Sequence, residues 1–351
     1  MFNPYFLVTF LYIALAVLGA LDAALINFDL LPFFAGLRWM RVHFITLGAL
    51  TELSFGILPL LVATRNGLPR PKIRWDIWLT LNLGLLILLL GIPPINGVLI
   101  TTGGTLIFTA AILLIIQLGK LRNPRTETQP SSGRKFYIAG LAYLLLGIIV
   151  GTGLWQGWSV WLQIKVPLEV HIHANNWGFM SLVFAGFFVD LYPIWAKRPL
   201  ANRKAIAPIF WMMSAGALFL VLSPWFASQT FAAIGALLHT VATVWLLVIA
   251  IKPLRGDKPA WTAGMAHMLA SYFWLFAPLS MARFVIFGIE GVMPAKALET
   301  TTPQALIYGW VLQVGFAVVP YLFQRYFFDE EQAPLGGTWL SFGLVNLGSI
   351  M

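Results

Sequence analysis

Three of the five histidines carry the most specific chemical signal in the chain. His43 opens a His-x4-Gly-x7-Gly pattern through Gly48 and Gly56, and His173 opens the same pattern through Gly178 and Gly186, 130 residues later. His171 stands two positions before His173, so the second copy begins with His-x-His. All three sit in strongly apolar surroundings, where an unpaired imidazole is costly and a functional role is the default reading. A neutral imidazole is the usual axial ligand of haem iron, and two of them on facing helices hold that iron in a six-coordinate, electron-transferring state. Residues two apart on a helix diverge by about 200°, so His171 and His173 address opposite flanks. Because His43 and His173 occupy equivalent positions, the sequence predicts that these two grip one haem. His171 is left for a second site, or for a hydrogen bond to a carbonyl or propionate.

The elements that must position them are membrane helices. Charged residues are only 10% of the 351 positions and mean hydropathy is +0.83, against about 25% charge in an ordinary soluble domain. Apolar windows of about 20 residues predict ten spans near 4–27, 40–64, 76–95, 97–118, 136–157, 168–195, 205–226, 229–251, 262–288 and 303–327, with an eleventh apolar stretch from Gly337. The first lacks a basic leader and is expected to be retained. Of the 22 basic residues, 17 fall in loops after even-numbered spans. Positive-inside bias therefore puts the N-terminus in the cytoplasm and runs even-numbered spans from outside to inside. His43, His171 and His173 then share the outer third of the bilayer. The net charge of +9 reports this topology and does not point to nucleic acid. With no cysteine, disulfides, thiolate metal sites and covalent Cys-x-x-Cys-His haem attachment are excluded; the expected cofactor is haem b, one or two in number.

Spans two, six and ten are each the second helix of a four-span unit, and span ten continues the series with Gln304 and Gly309. The expected fold is an all-α bundle of 10–12 transmembrane helices in pseudo-threefold repeats. They cover 1–130, 131–260 and an incomplete 261–351, in one membrane domain, with the segment from Gly119 to Lys135 as a linker.

A bundle of this kind, with His-x-His near the outer end of one out-to-in helix and a single histidine on the equivalent helix of another repeat, resembles subunit I of the haem–copper oxidases. The run His173, Gly178, Gly186, Pro193, Trp195 is also similar to NnrS-type membrane proteins. The resemblance covers spans two and six and otherwise rests on helix count. It implies haem at His43 and His173, a second haem at His171, and oxidoreductase chemistry in a respiratory chain or on nitric oxide or oxygen. It also implies a quinol, a cytochrome or other subunits as partners in the inner (plasma) membrane. Copper, that family's other metal, lacks its histidine set here: only His239 and His267 remain, and no His-His pair occurs.

Other polar residues have assignable roles. Arg41 and Arg283 could pair with haem propionates, whereas Arg38 suits an interfacial position. Asn175 or Asn176 could orient a ligand histidine or meet a small bound molecule. Glu52 lies nine residues, about 13 Å, below His43; as proton relay or interhelical hydrogen bond it is, with His239, the candidate for catalysis. Trp155, Trp158 and Trp161 form an interfacial belt. The sequence leaves open a secondary transporter or channel using the same histidines, and a structural subunit of a respiratory complex.

Overall fold

In a computed structural model the chain is helical throughout the described residues, 3–32, 36–122, 133–286, 305–328, 330 and 332–350. Among the described residues, six helices are long and apolar enough to cross a bilayer: Trp39–Arg65, Gly97–Lys120, Arg134–Gln156, Pro167–Trp195, Arg203–Phe226 and Gln229–Leu254. The protein is a multi-pass membrane protein, as its composition requires: helices satisfy every backbone group internally and need no charged coat where they meet lipid.

The element order is α1 (Pro4–Asn27), α2 (Leu37–His43), α3 (Thr51–Arg65), α4 (Trp75–Gly91), α5 (Gly97–Lys120), α6 (Arg134–Gln156), α7 (Pro167–His173), α8 (Ser181–Trp195), α9 (Ile206–Phe226), α10 (Gln229–Ile251), α11 (Ala263–Ile286), α12 (Leu312–Phe327) and α13 (Trp339–Ile350). Three seven-residue π-helical segments interrupt the series: Phe44–Leu50 joins α2 to α3, Ala174–Met180 joins α7 to α8, and Ala305–Val311 leads into α12. Each begins directly after the first position of the motif, at His43, His173 or Gln304; Gln304 itself lies outside the described residues.

The same glycine shapes all three segments. A Cβ on Gly48 would stand 2.5 Å from the Tyr12 ring, on Gly178 2.3 Å from the Tyr143 ring, and on Gly309 2.4 Å from the Trp274 ring. Tyr12, Tyr143 and Trp274 are themselves spaced by 131 residues. In each repeat, then, an aromatic ring of the preceding helix lies on bare backbone of the π segment. π-Helical turns are rare and concentrate at functional sites. The three segments start at offsets of 130 and 131 residues, the spacing of the sequence motif.

The hairpins repeat too. In α4–α5 a Cβ on Gly84 would reach Gly103 O at 3.0 Å, and in α9–α10 a Cβ on Gly216 would reach Gly235 O at 3.1 Å. The turns match at an offset of 132 residues: Ile95 and Ala227 adopt left-handed φ of 53° and 52°. Asn96 and Ser228 then cap α5 and α10 by accepting from backbone N–H groups. Pro224 is the third-last residue of α9, and the turn follows at Ala227.

The chain divides into two compact units, Asn3–Val183 and the residues from Phe184 onward. This division does not follow the repeat boundaries near 130 and 260. It falls inside α8, because that helix serves two neighbourhoods. Its upstream π segment packs on α6, where a Cβ on Gly140 would meet Phe179 O at 3.0 Å. Downstream, Phe184 meets Trp310 edge-on at 5.1 Å, Phe188 meets Tyr272 at 5.1 Å, and the Tyr192 hydroxyl donates to Ala250 O at 2.5 Å. In the second unit a polar tie secures α13: Trp274 Nε1 donates to Asn346 Oδ1 at 2.8 Å, and His267 Nε2 meets Ser341 Oγ at 3.0 Å.

Candidate functional site

In the first unit, α2 and α7 bring one histidine each to a common point. The rings of His43 and His171 have centroids 6.3 Å apart and planes inclined by 27°. Both rings are oriented by backbone carbonyls. His43 Nδ1 lies 2.7 Å from Trp39 O, one turn back on its own helix, and His171 Nδ1 lies 2.8 Å from Gly147 O on α6. A carbonyl can only accept, so Nδ1 carries a proton on each ring, and in the neutral imidazole Nε2 keeps its lone pair. Ligand histidines are prepared in this way: the nitrogen away from the metal is tied down and fixes the tautomer.

Packing holds the two rings in place. Trp39 stacks on His43 at 4.0 Å and 13°. Gly147 and Gly151, one turn apart on α6, make room for α7 and its π segment. A Cβ on Gly151 would lie 2.6 Å from His171 Cε1, and one on Gly147 2.5 Å from Asn175 Nδ2. Asn175 Nδ2 donates to His171 O at 2.8 Å. A small-x3-small pair on a membrane helix marks a close approach, and this pair was the readable signal for the α6 cradle.

The structure brings His171, not His173, to His43. The two histidines of His-x-His diverge around the helix, so only one can face α2. His173 turns to its own helix, with Nε2 3.8 Å from Glu169 Oε2. Asn175 and not Asn176 meets His171, because positions four apart share a helix face and positions five apart do not. Arg41 approaches Asp22 of α1 at 3.6 Å. No hydrogen bond forms between them, and Arg41 Nε and Nη2 are buried without an acceptor. The side chains of Arg38 and Arg283 lie outside the described residues. Glu52 is fully buried in α3.

His239 lies in the second unit, fully buried in α10, with Thr243 Oγ1 3.3 Å from its Nδ1. Its backbone packs against Gly216, as that of Ile107 packs against Gly84 in the first hairpin. The repeat therefore places His239 at a helix-packing position. An open cavity of about 690 Å³, lined by Asn96, Gly97, Thr101, Thr102 and Gln156 among others, lies at the α4–α5 turn and offers no titratable side chain.

Among the described residues no group of three or more His, Asp or Glu side chains gathers around a common point. Two neutral imidazoles are too few donors for a metal ion held by protein alone, but they are the number that an iron already held by a macrocycle requires. Two iron–nitrogen bonds of about 2 Å, with about 1 Å from each nitrogen to its ring centre, put two axial imidazoles about 6 Å apart, centre to centre. The 6.3 Å separation of the ring centres has that length. The buried, unsatisfied donors of Arg41, two residues from His43, suit an anionic substituent such as a propionate. No family model matches the chain, and neither does any curated protein or solved structure.

Proposed function

We propose that this chain is a haem b-binding protein of the plasma membrane that transfers electrons near the outer face of the bilayer. His43 and His171 would hold the iron through Nε2, and Arg41 would pair with a propionate. The observation that carries this reading is the tautomer lock: both rings commit Nδ1 to a carbonyl while their centres stand 6.3 Å apart. A six-coordinate haem supplies one-electron transfer. The protein's part is to fix the two rings, through the Trp39 and Gly147 carbonyls, the Trp39 stack and the α6 cradle. A quinol or a cytochrome is the redox partner that would fit such a centre, and a role beside respiratory-chain oxidoreductases is the reading we propose.

A pyridine haemochrome spectrum of detergent-purified protein, expressed with haem supplied, tests the reading directly. The expected result is one haem b per chain with a low-spin optical spectrum; colourless protein overturns the proposal. Replacing Arg41 with Gln leaves both ligands in place and is expected to weaken haem retention about tenfold, the worth of one hydrogen bond to a charged group. Haem transfer to apomyoglobin measures it.

A further inference from the structure

Glu52 sits on the same span as His43, yet the histidine site does not use it. It is fully buried, and neither carboxyl oxygen has a hydrogen-bond partner. Three nearby aliphatic hydroxyls are committed elsewhere: Thr9 donates to Tyr5 O at 2.8 Å, Thr51 to Thr46 O at 3.1 Å, and Ser54 to Leu50 O at 2.7 Å. Asn82 of α4 faces the carboxyl; its Nδ2 gives one proton to Trp78 O at 2.9 Å, which leaves one for a long contact with Glu52 that falls short of hydrogen-bond geometry. One amide proton cannot satisfy two buried carboxyl oxygens, so a bond between these helices does not by itself account for this residue.

The fold does not require an acid here either. At the repeat offsets of 130 and 131, the equivalent residues are Leu182 and Gln313, both fully buried. The carboxyl belongs only to the repeat that contributes His43. A buried polar group left unsatisfied costs stability, and an unpaired carboxylate costs more than a neutral acid. A proton is the ligand that removes that charge.

We propose that Glu52 is a proton-binding site, a neutral acid at mid-depth that releases its proton more readily when positive charge arrives at the His43 end of its span. The proton-binding part stands without the haem reading; the linkage rests on it. The titratable groups within electrostatic reach are Tyr5 and Tyr12 of α1, and Tyr5 in turn senses Asp76 and Arg74 at the start of α4. The one titratable side chain of α5 is Lys120, its last residue. At about 13 Å and an effective dielectric of about 20, one added charge changes acid dissociation about tenfold.

Dicyclohexylcarbodiimide, an apolar reagent that adds to protonated carboxyls, is the probe. Peptide mass spectrometry on the full chain in proteoliposomes is expected to find an adduct on Glu52 whose yield falls as pH rises. The infrared C=O band of a buried acid is expected to disappear in both Glu52→Gln and Glu52→Leu, the residues the other repeats tolerate. No adduct, or the same band in wild type and Glu52→Gln, overturns the proposal. For the linkage, the midpoint potential of haem-loaded wild type is expected to depend on pH over the range in which the band titrates, and that of Glu52→Gln is not. Equal pH dependence overturns the linkage. Protein that binds no haem but labels at Glu52 refutes the reading of the histidine pair and upholds the proton site.

Discussion

His171→Ala protein is expected to lose its Soret absorption, as is His43→Ala, while His173→Ala keeps it. The asymmetry within His-x-His is the informative part, since a motif-based view makes His173 the partner of His43. Geometry assigns the pair to His171, whose ring centre stands 6.3 Å from that of His43 and whose Nδ1 is already given to Gly147 O. Losing even an outer partner of a metal ligand costs about 10–100-fold in affinity, and losing the ligand itself should cost at least the upper end of that range. Absorption of membranes normalised to protein, with retention in haem-transfer assays, measures both effects. Loss of the spectrum in His173→Ala with retention in His171→Ala would reverse the assignment.

The second large effect is steric. Gly178→Ala is expected to destabilise the protein by about 1–3 kcal/mol, the usual cost of overpacking, and Gly178→Leu by more. The added Cβ would lie 2.3 Å from the Tyr143 ring, closer than real Cβ atoms come. The ring cannot retreat without unpacking α6 from the π segment beneath it. Tyr143→Ala should leave a cavity of its own, yet the double variant Tyr143→Ala/Gly178→Ala should be more stable than Gly178→Ala alone. Residues in contact couple in this non-additive way, and thermal aggregation midpoints in detergent report it. If the double variant is no more stable than the sum of the single effects, the ring–backbone contact is not what limits this position.

Much of this was legible from residues and spacing. Low charge and apolar windows give the multi-pass helical class, because the bilayer leaves few other solutions. The paired His-x4-Gly-x7-Gly runs give the repeat and single out His43, His171 and His173. The choice between His171 and His173 was not legible, because it depends on which flank of α7 meets α2, a property of tertiary packing. The π segments were hidden too: one more residue in a turn leaves the apolar pattern of Phe44–Leu50 or Ala174–Met180 unchanged. The matched hairpins escaped because the residues that define them, Gly84, Gly103, Gly216 and Gly235, have no side chains, and their offset of 132 differs from the 130 of the histidine motif. Aligning the chain against itself with short gaps would have found them. Asp22 was overlooked because a carboxylate inside an apolar run gains meaning only once Arg41 is placed beside it.

The wider turns after His43 and His173 also separate two ends of one rod. An α-helix advances about 100° per residue, so one surplus residue swivels everything above the turn against everything below it. Removing a single residue from Phe44–Leu50 would restore ordinary winding and aim the imidazole a quarter-turn or so away, with Glu52 still seated below. In these spans residue count acts as an angular setting, and the aromatic–glycine contact is the detent that keeps it there.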